Sequence, residues 1–315
     1  MSARCLICGT EITAEASSEY HTACAKSLFG SASAPSFAYS TEELNRIARN
    51  IIESRISVPG VQPKLSVHLE HAPQGGGRLT LVGLDGDYIL KLPTRQYAEL
   101  PEAEHFAMTL AQLCGIETAT FGLVRLANDS LAYLTRRMDR ADGVKHMEDM
   151  CQLCERRAER KYCGSYEQIA RQIWAHSAFP GEDTVRFFGL VLFSFVTGNS
   201  DMHLKNFSLI REHNGEWHLS PAYDLVPVKT VLPTDEDDLA LTLNGKNRKL
   251  REKDFRTAAA TMRLTDVQYT RTLRRVLRPL ASNLDAALER SFLSEGFRRR
   301  VCALIRERLA LFASL

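Results

Sequence analysis

The sequence predicts an α+β protein with a β-rich N-lobe, an all-helical C-lobe and a small cysteine-containing head in front. Three observations carry this. Between residues 57 and 135, short runs of alternating apolar and polar residues are divided by turn residues and interrupted by one helical stretch. Beyond residue 145 the apolar residues recur at helical spacing. Ahead of residue 37, cysteines and a histidine gather in a segment too short for its own core, closed by the Pro-broken stretch Ser31-Ala-Ser-Ala-Pro-Ser36. The predicted division is 1–36 for the head and linker, 37–145 for the N-lobe and 146–315 for the C-lobe.

Taken in order, Ser40 to Ile52 reads as a helix. Ser40 or Thr41 caps it, Glu residues fill its first turn, and Leu44, Ile47, Ile51 and Ile52 line one face. A turn-rich stretch, Ser57 to Lys64, leads into strands over 65–69, 79–82 and 88–92, the last two joined by Leu84-Asp-Gly-Asp87. A helix follows over about 102–114, then strands over 121–125 and 131–135. In the C-lobe Ser165 caps a helix, and 183–197 is apolar enough for a central core helix. Strands over 207–210 and 217–219 then deliver Tyr223 and Asp224. Residues 228–250 read as an irregular loop and 251–315 as helices with basic solvated faces.

The composition excludes several classes. A formal charge of +2 from 40 basic and 38 acidic residues gives no footprint for nucleic acid, so DNA would be reached only through a partner. The longest apolar run, Phe187 to Val196, is about half of a membrane span, and the N-terminus lacks the apolar core of a signal peptide. A cytoplasmic protein off the membrane is the expectation, with its eight cysteines as thiols or metal ligands rather than disulfides.

The motif with most chemical content is Asp201-Met-His-Leu-Lys-Asn206, followed by Asp224 in Pro-Ala-Tyr-Asp. Phosphoryl transfer requires a carboxylate to accept the proton of an incoming hydroxyl, and an amide oxygen and second carboxylate to hold Mg²⁺ on the phosphates. Asp201 fits the first role; Asn206 and Asp224 fit the second. Lys91, the one cation on an apolar strand, fits the lysine that grips ATP phosphates, with Glu104 on the next helix as its ion-pair partner. Each feature alone is common. Their order, from a phosphate-loop position through strand lysine, helix glutamate, buried helix and Asp…Asn to the final Asp, is that of a two-lobed protein-kinase-like fold. Ser57-Val-Pro-Gly-Val-Gln-Pro-Lys64 occupies the phosphate-loop position, where Gly60, Val61 and Gln62 could offer backbone N–H groups and Lys64 a charge. A simple turn explains the same stretch.

These blocks, with Ala103-Glu-His105, Thr135-Arg-Arg-Met-Asp-Arg140 and Gly198 to Phe207, resemble in order the HipA-type serine/threonine kinase toxins of bacterial toxin–antitoxin systems. The resemblance implies a HipA-like fold. It assigns Ser57 as an autophosphorylated serine that shuts the enzyme off, and places Pro59, Gly60, Val61, Gln62, Pro63 and Lys64 on the ATP phosphates with Lys91. Arg136, Arg137 and Met138 would form the adenine-reading hinge. Asp201 would be catalytic, His203, Leu204, Lys205 and Asn206 would line the site beside Tyr223, and Asp224 would bind Mg²⁺. It further implies a helix-turn-helix antitoxin and an aminoacyl-tRNA synthetase as substrate. The phosphate loop begins near residue 57, which looks like the short, HipT-like form whose missing β-rich subdomain can be a separate small protein. That form often has two serines flanking one residue at the autophosphorylation position; here Pro59 replaces the second, leaving Ser57 with Ser54 nearby. Two other readings stand beside this one: a nucleotide-binding pseudokinase, and a small-molecule phosphotransferase, which shares Asp-x₄-Asn but leaves the Ser57 block unexplained.

Cys5-x₂-Cys8 with His21-x₂-Cys24 is zinc-compatible, either a structural Zn²⁺ knuckle or an unmetallated head. Cys151, Cys154 and Cys163 are either a metal set completed by His146 or a reduced, solvent-side trio. Cys114 and Cys302 read as core.

Overall fold

The computed structural model describes residues 4–12, 19–53, 62, 64–71, 77–82, 86–140 and 143–312. The chain forms two compact units, and neither is one continuous stretch. The first takes Met1–Phe106, Ala119–Ala141 and Arg290–Leu293; the second takes Ala107–Thr118, Asp142–Glu289 and Ser294–Leu315.

In the first unit α1 (Thr22–Phe29) ends at Gly30, whose φ of 70° supplies the left-handed cap. The helix α2 (Thr41–Glu53) starts as expected, with Ser40 N–H donating to the Glu43 carboxylate (2.8 Å) and Glu43 N–H to the Ser40 hydroxyl (3.3 Å). Five antiparallel strands follow the predicted positions: β1 (Lys64–His71), β2 (Gly77–Val82), β3 (Tyr88–Lys91), β4 (Phe121–Arg125) and β5 (Leu131–Arg136). They lie in the order β2-β1-β3-β5-β4. The stretch read as a linker ends on this sheet, where Ser36 exchanges backbone bonds with Gly77 and Leu79 at 2.8 and 3.1 Å. The helix α3 (Leu100–Leu113) begins in this unit and continues into the second.

The second unit holds α4 (Met150–Leu153), α5 (Tyr166–His176), α6 (Pro180–Thr197), the short α7 (Val228–Val231), α8 (Glu252–Thr261), α9 (Asp266–Arg290, which ends in the first unit) and α10 (Glu295–Ala310). Its core is α6, buried at every position from Phe187 to Thr197. Pro180 at the first turn presets the backbone. Phe187 packs on Phe207 (ring centroids 5.1 Å) and Phe195 on Phe255 (4.9 Å). The expected all-helical C-lobe also carries a small sheet, β6 (Met147–Asp149), β7 (Ser208–Arg211) and β8 (Trp217–Leu219), in that order. The β7–β8 hairpin is the predicted one. The strand β6, three residues long, has no periodicity to read and forms because β7 offers it an edge. Among the described residues no helix is long and apolar enough to cross a membrane.

The cysteines depart in part from expectation. Cys114 is buried, but Cys302 is only half-buried. Cys151 is not on the solvent side: it is buried, with its thiol facing the carbonyls of Arg156 and Arg157 at 3.4 and 3.5 Å. Among the described residues the Cys151 set does not converge with His146 into a metal group.

Gly198 ends α6 with φ 74°, and a Cβ there would lie 2.5 Å from the Leu304 Cδ2 atom. Gly198→Ala is expected to destabilise the protein by about 1–2 kcal/mol from the left-handed backbone alone, read as a lower urea midpoint at unchanged slope. An unchanged midpoint would show that the loop relaxes freely at this point.

Candidate active site

The loop after α6 is fixed by three apolar side chains that turn inward. Met202, Leu204 and Phe207 are wholly buried. The buried Tyr166 hydroxyl donates to the Met202 carbonyl (3.0 Å), and Leu204 N–H donates to the Lys161 carbonyl (3.1 Å). Asn199 N–H returns to the Ser194 carbonyl (2.8 Å), and a single turn closes over Leu204–Asn206. Anchored this way, the remaining positions carry the polar groups.

Asn206 and Asp224, eighteen residues apart, are brought together: the Asn206 amide donates to Asp224 Oδ2 at 3.0 Å. Asp224 sits at φ 60°, a left-handed conformation that Asp tolerates better than most residues. With its nitrogen committed to Asp224, Asn206 retains an amide oxygen beside the carboxylate. This hard-oxygen donor set fits Mg²⁺. Asp201 is half-buried, and its carboxylate accepts a 2.7 Å bond from the Tyr162 hydroxyl. Burial pushes the Asp201 carboxyl above its ordinary value; the Tyr162 bond opposes this and the Asp224 charge adds to it. His203 is buried, with its ring edge-on to Tyr162 (5.1 Å). Burial and the Lys161 charge push His203 down to about 4, so the ring is neutral at pH 7. Its Nδ1 atom has no hydrogen-bond partner among the described residues.

The other predicted residues of this unit are placed less centrally. Lys205 reaches Asp149 at 2.5 Å. The Tyr223 hydroxyl bonds the Ser208 hydroxyl (2.6 Å) and the Lys205 carbonyl (2.9 Å), holding the loop to β7. Leu204 is core.

In the first unit, Lys91 Nζ lies 2.6 Å from the buried Glu104 carboxylate and 5.5 Å from the Tyr133 ring centre. Lys64 is the cross-strand partner of Lys91, and directly opposed residues of an antiparallel pair share a face. Two cations therefore stand on one face of the sheet with a buried carboxylate against one of them. Gln62 donates its amide to the Leu92 carbonyl (2.8 Å). Ser54, Ser57, Pro59, Gly60, Val61 and Pro63 lie outside the described residues. Of the hinge residues, Arg136 ends β5 and Arg137 forks onto Asp139 (3.0 and 2.7 Å) while its N–H donates to the Asp87 carbonyl; Met138 follows half-buried.

Sequence reasoning missed Tyr162, because an exposed loop tyrosine has no periodicity and meets Asp201 only through the tertiary tie at Lys161. It also missed Asp183. This buried carboxylate accepts from the Ser177 hydroxyl (2.6 Å), Leu219 N–H (2.8 Å) and Arg186 (3.0 Å), tying α6 to β8. Asp183 follows Glu182 in the first turn of α6, where acids are ordinary, so nothing in the sequence set it apart.

This fold is of the protein-kinase-like class. The chain belongs to the HipA-like C-terminal domain family, whose sequence model matches residues 56–287. It is 34% identical over 208 residues to the Sinorhizobium fredii protein Y4dM, named as a candidate kinase, covering 62% of this chain and 50% of that one. A Haemophilus influenzae protein named in the same way is 31% identical over 186 residues, covering 55% of this chain and 53% of that one. The chain spans about half the length of these curated relatives. Among solved structures, Shewanella oneidensis HipA, determined with HipB and its operator DNA, superposes with a TM-score of 0.67 at 21% identity. That match covers 88% of this chain and 73% of that one. The Helicobacter pylori proinflammatory kinase CtkA gives 0.51 at 14% identity, covering 78% of this chain and 94% of that one. At these identities the likenesses establish the fold.

Two measurements probe the loop directly. Asp201 has a raised carboxyl pKa, so it costs no stability below the ordinary carboxylate value of about 3.9 and becomes unfavourable as pH rises through its folded value. Asp201→Asn is therefore expected to raise Tm at pH 7 by about 1–3 °C, with the gain vanishing near pH 3; a gain that persists there would assign it to something other than ionisation. Tyr162→Phe removes a donor to the charged form, so the Asp201 titration, followed by carboxyl ¹³C shifts, is expected to move to higher pH. No movement, or movement downward, would show that the hydroxyl does not stabilise the carboxylate.

Proposed function

We propose that this chain is an ATP- and Mg²⁺-dependent serine/threonine protein kinase that acts as the toxin of a bacterial toxin–antitoxin system. The observation that carries the reading is the Asp201 loop, in which a half-buried carboxylate already accepts a hydroxyl (2.7 Å) while Asn206 and Asp224 pair at 3.0 Å. Asp201 would orient the acceptor hydroxyl and take its proton, and its raised carboxyl makes it a stronger base than an ordinary aspartate. Asn206 and Asp224 would hold Mg²⁺, which supplies charge neutralisation on the phosphates when bound. Lys91, kept in place by Glu104, would bind phosphate oxygens on its own unit, with Lys64, Gln62 and the Ser57–Lys64 stretch adding charge and N–H donors. Arg136 to Met138 would receive adenine. Phosphorylation of Ser57 would place a dianion beside the ATP phosphates and repel them, an off-switch by electrostatics.

The toxin part of the reading draws on the family and on the Shewanella toxin–antitoxin complex, in which HipA is accompanied by HipB and operator DNA. For this chain we infer a helix-turn-helix antitoxin, a small separate N-subdomain-like protein, and an aminoacyl-tRNA synthetase as protein substrate, with DNA reached only through the antitoxin.

Incubation with γ-labelled ATP and Mg²⁺ is expected to label the protein on Ser57, and Asp201→Asn to lower the rate by about 10²–10⁴-fold. Ser57→Ala should lose self-labelling while transfer to a protein acceptor persists. Nucleotide binding without any transfer would replace the kinase by a binding module. Label appearing only on small molecules would make the protein a metabolite phosphotransferase.

A further inference from the structure

The head carries a second cluster unrelated to the Asp201 loop. The thiols of Cys5, Cys8 and Cys24 and a ring nitrogen of His21 all lie within 4.8 Å of one another. Tetrahedral zinc with such ligands has edges of about 3.5–3.8 Å; Cys8 Sγ is 3.3 Å and Cys24 Sγ 4.0 Å from His21 Nδ1. The surroundings are built for a metal. His21 Nε2 donates to the Glu11 carbonyl (3.0 Å), which fixes the tautomer that leaves Nδ1 as the lone-pair atom. His21 N–H points at Cys5 Sγ (3.4 Å). The Cys5–Thr10 turn closes through Gly9, at φ 70°, with Gly9 N–H on the Cys5 carbonyl (2.8 Å). His21 and Cys24 come from the start of α1, so a short turn and a helix end supply two ligands each.

The residues between the cysteines tie the head to β4 and α3 within the first unit. Leu6 accepts from Leu123 N–H (2.8 Å), and Tyr20 donates to the Leu123 carbonyl (3.0 Å). Ile7 accepts at its carbonyl from His105 Nε2 (2.8 Å), and His105 is the neighbour of Glu104 on α3. A Cβ on Gly122 would lie 2.7 Å from Ile7 and 2.9 Å from Leu28, so β4 and the head are in close contact.

We propose that Cys5, Cys8, His21 and Cys24 bind one Zn²⁺, and that the metal-held knuckle fixes the start of α3 through the Ile7 carbonyl and His105. Glu104 is thereby positioned from the head. The zinc site and its link to α3 stand apart from the kinase reading.

Purified full-length protein is expected to contain one zinc per chain by elemental mass spectrometry. Replacement by Co²⁺ should give the visible bands of a tetrahedral thiolate site and a thiolate-to-cobalt band in the near ultraviolet. Cys8→Ser and His21→Ala, measured separately, should each lower zinc stoichiometry. Metal-free protein with these thiols paired as disulfides, iron in place of zinc, or zinc retained when both substitutions are combined would overturn the site. Stripping the metal with a chelator should speed hydrogen exchange in the first turns of α3 (from Leu100) without altering α8. Loss of zinc with unchanged exchange in α3 would overturn the link to α3 while leaving the site in place. Neither readout depends on phosphoryl transfer.

Discussion

The burial of α6 is the constraint from which the geometry of the second unit follows. A helix hidden on all sides from Phe187 onward cannot shift along its axis without exposing aromatic rings, so the point at which the chain leaves it is fixed. Gly198 turns the chain out there, and Met202, Leu204 and Phe207 take it back into the core within nine residues. Polar groups between such anchors have little freedom, which is how a loop can hold Asp201 and Asn206 as firmly as regular structure would. The opposite end of the helix is secured by the saturated carboxylate of Asp183, whose bond to Leu219 N–H also fixes the strand that leads to Asp224. Both ends of one helix thus govern the two segments that supply the polar set.

Charge is sorted between the units in a way that core formation alone does not require. The sheet of the first unit sets Lys64 opposite Lys91, an arrangement unfavourable in itself, with Glu104 paired to Lys91. The loop of the second unit keeps Asp201 near enough to Asp224 for its charge to raise the Asp201 carboxyl further. Like charges set close together in this way are locally costly, and groups held so are common where a ligand of opposite sign binds, which is the arrangement the proposed function uses.

Much of this was legible in the sequence. Lys91, Glu104, Asp201, Asn206 and Asp224 were found because each sits at a readable place, a strand, a helix turn or the end of an apolar run, in a fixed order. The strands were legible from alternation and turn residues, as Ser40 was from its capping partner. What failed to show were contacts without period. Tyr162 meets Asp201 across thirty-nine residues, β6 is too short to alternate, and Ser36 joins the sheet edge through backbone groups that any residue carries. The burial of Cys151 was hidden for a similar reason, since its carbonyl partners belong to the turn that follows it. In the head, spacing announced the cluster of three cysteines and a histidine, whereas the docking of Ile7 on His105 depends on a main-chain oxygen that spacing cannot reveal.

The division of the chain has a consequence for its birth. The first unit is not complete until Arg290–Leu293 has been made, because Arg4 bonds the Ser291 carbonyl (3.1 Å) and the Phe292 ring flanks His105 at 5.5 Å. Domains usually fold in the order of their synthesis, yet here Arg4 waits for a segment nearly three hundred positions further along the chain. A chain released before residue 290 would leave Arg4 and His105 without these neighbours.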